Sequence, residues 1–181
     1  MIGDRLAQLA QATGIAIELL RGASQLEDVA QAVLGRLANA AGCEWAAYWA
    51  FDPQTRALLP VASWSGLGSE GHVFDREARV PIPSSNQGNA SKVWHSRKPM
   101  WTTNLLLDLG LPRSLRAAQV GLRAGVWFAV KTDTAIYGVV ELLARELPAM
   151  SVEILVAVER LGSRLGYVIE ELRTERPSRL H

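Results

Sequence analysis

Cys43 is the only thiol in this chain, and His72, His95 and His181 are its only histidines. A cysteine can attack as a thiolate, and a histidine can hold a metal or a haem iron. One cysteine cannot form a CxxC pair or run an intramolecular dithiol cycle. No second metal ligand stands at helical or hairpin spacing from either internal histidine, whereas a metal site usually takes three or four. No metal site is therefore expected, and His95, ahead of His72, is the outside candidate to ligate a metal or a haem iron. The chain has no G-x-S-x-G elbow, P-loop or G-x-G-x-x-G turn, so acyl transfer, phosphoryl transfer and dinucleotide binding lack their sequence marks.

What remains favours binding. Six tryptophans are present, and an indole supplies flat apolar area with one N–H donor. Trp45, Trp49 and Trp64 read first as core packing. Trp94, Trp101, Trp127 and again Trp49 are the candidate walls of a ligand cavity. From Lys92 to Arg123 six cationic side chains face one acid, Asp108. Most read as solvated helix faces. Arg113 and Arg116, three apart on one helix face, are the candidates to hold an anionic ligand, because guanidinium forks match carboxylates and phosphates.

The elements that must position these residues follow from periodicity. Leu6, Leu9, Thr13, Ala16 and Leu20 make one helical stripe; Leu26, Val29, Val33 and Leu37 make a second, with Ser24 and Glu27 as its capping box and Gly42 as its close. Alternation then takes over. In 43–52, Cys43, Trp45, Ala47, Trp49 and Phe51 share one face of a strand. Asp52-Pro53-Gln54-Thr55 turns the chain into a partner strand, 57–64, whose Pro60 marks an edge or a bulge. Residues 65–91 read as a long connection with at most one short strand near 78–82. The stretch 93-VWHSRKPMW-101 reads as a short helix turning into a strand at Met100. Pro112 opens a helix that Gly121 ends, and strands 125–132 and 136–145 follow, joined at Asp133-Thr134.

The last helix, from about Met150 to Arg173, carries two apolar stripes. That surface is expected to be too wide for one sheet to cover. Leu155, Val158, Leu165, Ile169 and Leu172, with Leu6, Leu9 and Leu20 of the first helix, are therefore the candidate dimer interface. The resulting fold class is α+β: five or six antiparallel strands with the terminal helices on one face and short helices and loops forming a pocket on the other.

In this order the motifs resemble a GAF domain of the type found in bacterial sensor histidine kinases and cyclic-dinucleotide signalling proteins. Trp45, Trp49, Asp52 and Trp64 match its first hairpin, and Val93, Trp94, Ser96, Pro99 and Trp101 its short helix and strand, with Asn104 near an expected aspartate. Pro112, Arg113, Ala117, Ala118, Gly121 and Leu122 match its next helix, and Gly138, Val139 and Glu141 its final hairpin. Two positions depart: 86-NQGNASK-92 replaces a glycine-rich turn, and Phe128-Ala129 stands for Phe-Pro, both beside the family's pocket rim.

The resemblance implies a dimerisation helix over 1–23, a GAF domain with its signalling helix over 24–173 and a flexible tail over 174–181. It implies a non-enzymatic sensory domain in which a small ligand or a protein partner acts through the terminal helices of a homodimer. A scaffold whose tryptophans fill the pocket and a haem-based gas sensor are the alternatives. No cofactor is assigned and none covalently bound is expected, since Cys43 is not at the place used by bilin-binding relatives. The chain carries no kinase, cyclase or DNA-binding segment, which leaves open a stand-alone regulator or part of a larger sensor. A net charge of +1 makes no case for nucleic acid or an acidic membrane. The single cysteine and the lack of a leader or a spanning apolar run give the expectation of a cytoplasmic protein.

Overall fold

The computed structural model describes residues 2–85, 88–107 and 112–175. Among these, six helices surround a six-stranded antiparallel sheet of order β3-β2-β1-β6-β5-β4. The strands are β1 (Trp45–Asp52), β2 (Ala57–Ser65), β3 (Ile82–Pro83), β4 (Met100–Thr102), β5 (Ala124–Lys131) and β6 (Ile136–Ala144). The helices are α1 (Ile2–Gly22), α2 (Leu26–Ala41), α3 (Gly68–Ala78), α4 (Asn89–Ser96), α5 (Pro112–Gln119) and α6 (Val152–Glu175).

The sheet is apolar on both faces, and two cores result. On one face α2 and α6 pack against the strands, burying Val33, Leu37, Val158, Leu161 and Leu165 with Ala46, Tyr48, Phe128, Val140 and Leu142. α1 lies across α2 and α6 and contributes Leu9, Ala16 and Leu20 to this same core. On the other face Trp45, Ala47, Trp49, Trp127 and Leu143 meet Phe74, Ala78, Val93, Leu105 and Ala117 from α3, α4, a 3-10 turn and α5.

Some expectations hold and others are corrected. Gly42 closes α2 with φ of 73°, its N–H reaching the carbonyls of Ala38 and Asn39, a conformation that only glycine adopts without penalty. Pro60 sits where the β1–β2 register shifts, opposite Trp49, and β3 pairs only with Ala57 and Leu58, so Pro60 also lies on an open edge. The expected capping box is not formed: Gln25 is the N-cap residue and no side chain caps there. Cys43 belongs to the helix-side core and not to the Trp45 face, because the strand begins only at Trp45. The expected 65–91 connection contains an 11-residue helix, α3.

The dimer-interface expectation is corrected for five of its eight residues. Leu9, Leu20, Val158, Leu165 and Ile169 are buried within the chain's own core. α6 is packed by α1 as well as by the sheet, so the width of its apolar surface does not require another chain. Leu6, Leu155 and Leu172 are half-buried. The exposed apolar residues of α6 are Val152, Val156 and Tyr167 instead.

Candidate functional site

A cavity of about 300 Å³ opens on the face of the sheet opposite the terminal helices. Its walls come from α3 (Phe74, Ala78), the segment 80–83, α4 (Asn89, Ala90), Leu105, α5 (Pro112, Arg113, Ser114, Arg116, Ala117) and the strands (Trp127, Glu141, Leu143). Most of these surfaces are apolar, as in small-molecule sites generally.

Each wall is fixed by an identifiable contact. α3 is pinned to the sheet by Trp45: Phe74 meets it edge-on with ring centroids 5.2 Å apart, and the Trp45 indole N–H donates to Asp75 Oδ1 at 3.2 Å. Segment 82–84 is held on one side by β2, where the Ser84 N–H donates to the Arg56 carbonyl at 2.9 Å. On its other side Ser91 Oγ donates to the Pro83 carbonyl at 3.2 Å, and His95 Nε2, one turn further along α4, donates to the Ser84 carbonyl at 2.7 Å.

At the base of the cavity the Arg113 guanidinium makes a two-point pair with the Glu141 carboxylate: Nη2 to Oε2 at 2.6 Å and Nε to Oε1 at 3.3 Å. Arg113 Nη1 donates to the Ala78 carbonyl. The Glu141 side chain is 4% exposed and also accepts from the Trp49 indole N–H at 3.1 Å. The guanidinium carbon lies 4.6 Å from the Trp49 ring centre and 5.3 Å from that of Trp45, within cation–π range. One arginine thus joins α5, β6 and the C-terminal end of α3. The buried carboxylate has its charge matched and both its oxygens hydrogen-bonded, which is what makes a buried ion pair tolerable.

Of the six residues expected to bind ligand, Arg113, Arg116 and Trp127 line the cavity. Trp49 lies beneath its floor, against Arg113 and Glu141. Trp94 stacks on Phe51 at 4.2 Å, and the Trp101 indole donates to the Pro148 carbonyl; neither is a wall of the cavity. Their alternation in sequence gave no way to see this, since β4 is three residues long and turns Trp101 toward the helix-side core. Glu141 was legible only as part of the final hairpin motif, and the wall residues Phe74, Asn89 and Leu105 carried no sequence signal.

The other candidates sit elsewhere. His72 and His95 are exposed and do not line the cavity; His181 lies outside the described residues. Among the described residues no three His, Cys, Asp or Glu side chains group as a metal site, and no helix is long and apolar enough to cross a membrane. Cys43 is buried in the opposite core, and burial pushes its thiol up from 9.0 to about 12, so it is not a thiolate nucleophile at neutral pH.

The same architecture occurs in solved structures of low sequence identity. Free methionine-R-sulfoxide reductase from Neisseria meningitidis superposes with a TM-score of 0.72 at 14% identity, covering 95% of this chain and 94% of that one. The GAF domain of a phosphoenolpyruvate-protein phosphotransferase from Coxiella burnetii gives 0.71 at 14%, covering 95% and 98%. The chromophore-binding domain of a Stigmatella aurantiaca bacteriophytochrome gives 0.62 at 14%, covering 91% and 60%. At these identities the likeness speaks for the fold alone. No curated protein matches the sequence. The GAF-domain family profile, however, matches residues 23–170, a span holding the whole sheet, the cavity and most of α6. The chain belongs to the GAF domain family, typical of sensory and regulatory signalling proteins.

Proposed function

We propose that this chain is a regulatory, non-catalytic sensor domain that binds a small molecule in the cavity beneath α3 and reports its occupancy through α1 and α6 in a homodimer, to a downstream signalling protein. The observation that carries the reading is the cavity itself, about 300 Å³ with walls from α3, α4, α5 and the sheet. A scaffold that had filled its pocket with its own tryptophans would place Trp94 and Trp101 there, and they pack elsewhere. The buried thiol on the opposite face supports the non-catalytic part of the reading, because no thiolate is positioned to reach a substrate in the cavity.

The deciding experiment is native mass spectrometry of the freshly purified protein, followed by a thermal-shift screen over uncharged aromatics, amino acids, nucleotides and small anions. A binder at a hundredfold excess over its dissociation constant adds about 2.7 kcal/mol to stability. A copurified molecule or a hit displaced by a cavity-filling Ala117→Phe substitution is expected. No retained molecule and no response across the panel would return the domain to the scaffold reading.

A further inference from the structure

The cavity's charge chemistry, taken with the reading of it as a ligand site, narrows what it takes. We infer that its ligand is a small, uncharged, largely apolar molecule with an aromatic ring, and not an anion. Of the two arginines that sequence spacing put forward as anion holders, Arg113 already has three of its five N–H donors engaged. Nε and Nη2 meet the two oxygens of Glu141, Nη1 meets the Ala78 carbonyl, and the tryptophan rings at 4.6 and 5.3 Å shield the guanidinium. A carboxylate or phosphate entering the chamber would meet a neutral pair. An anion reaching the two N–H groups of Arg113 that these bonds leave over would approach a charge already matched by Glu141, whose carboxylate would repel it.

Among the described residues the remaining charged wall is Arg116, which is exposed. A cation at the solvent edge is hydrated and screened by salt and adds little to a buried anion's affinity. The rest of the lining favours a flat apolar body. Phe74, Trp127, Leu105, Leu143 and Ile82 enclose it, and aromatic walls pair well with an aromatic ring. Asn89 and Ser114, also in the lining, are the neutral groups that would recognise one polar substituent. A volume near 300 Å³ is at the small end of the roughly 300–1,000 Å³ usual for ligand pockets, which limits the occupant to one or two rings.

The test is a matched pair of probes, indole and indole-3-carboxylate, titrated into the ¹⁵N-labelled full chain. The Trp127 indole N–H resonance reports cavity occupancy. Indole is expected to bind at least tenfold more tightly than its carboxylate and to move the Trp127 signal. In Glu141→Gln, which leaves Arg113 a hydrogen-bond partner but removes the opposing charge, the affinity for the carboxylate relative to that for indole in the same variant should rise at least tenfold. If the Gln variant does not fold, the ranking in the unaltered protein decides alone. A carboxylate that binds as well as indole overturns the uncharged-ligand inference and leaves the cavity a ligand site. Failure of both probes at millimolar concentration, or shifts confined to the helix-side core, overturns this inference, and the ligand reading is then decided by the copurification and panel experiment.

Discussion

Glu141 is buried, charged and answered by a single guanidinium, so removing either partner leaves the other without compensation. Glu141→Ala is expected to lower unfolding stability by about 3–5 kcal/mol, read from urea denaturation followed by tryptophan fluorescence. Arg113→Lys should recover little of an Arg113→Ala loss, because an ammonium cannot span both carboxylate oxygens and the Ala78 carbonyl at once. Arg113 was legible from its place on a helix beside a predicted pocket. Its partner 28 residues away was not, since ordinary sequence spacing says nothing about which strand residue a helix will meet. Cys43 carries a second prediction. Burial holds its thiol protonated to about pH 12, against an ordinary 9.0, and raises the Tyr48 hydroxyl in the same direction. The unfolded chain therefore releases these protons first: the stability Cys43 holds is present below pH 9 and lost as pH climbs toward 12, while the loss from Tyr48 begins only above its ordinary 10.0. The loss should run at about 1.4 kcal/mol per pH unit for each group. Urea midpoints from pH 8 to 11 check it: Cys43→Ala should show a shallower fall than the unaltered chain.

At the scale of elements, the terminal helices and the four longer strands were readable because their periods repeat over eight residues or more. α3 was not. Its sequence, GSEGHVFDREA, contains two glycines and few apolar residues, so intrinsic propensity argues against a helix. What stabilises it is tertiary: Phe74 and Ala78 are buried against the sheet and Asp75 bonds Trp45. The fit of α6 is tested by Gly162 and Gly166. A Cβ at Gly162 would lie 2.1 Å from the Ala129 carbonyl oxygen, and one at Gly166 would lie 2.1 Å from that of Lys131. Gly→Ala in a helix ordinarily gains up to about 1 kcal/mol. Here Gly166→Ala should lose about 1–3 kcal/mol instead, because backbone stands in the way and α6 must lift. Thermal unfolding of the variant measures the sign directly.

Across the whole molecule, the two cores share one sheet, and the surface left over bears on assembly. Val152, Val156 and Tyr167 are 68%, 40% and 47% exposed and fall on one stripe of α6. If this stripe pairs in a homodimer, Val156→Glu should convert the protein to monomer in sedimentation at micromolar concentration, with its melting curve as a single chain preserved. A monomer already present before substitution would remove the dimer from the proposal. The width of the apolar surface on α6 was visible in sequence, but which neighbour covers it depends on α1, which ends 130 residues before α6 begins. Lys131, at the end of β5, donates to the Arg97 carbonyl at the close of α4 and to Glu159 on α6. Next to it, Gly162 and Gly166 set α6 directly on the β5 main chain. At these two positions no side chain lies between helix and strand, so a tilt of β5 there cannot be taken up by a rotamer change alone. A movement of β5 at Lys131 would therefore be felt both at the close of α4 and along α6.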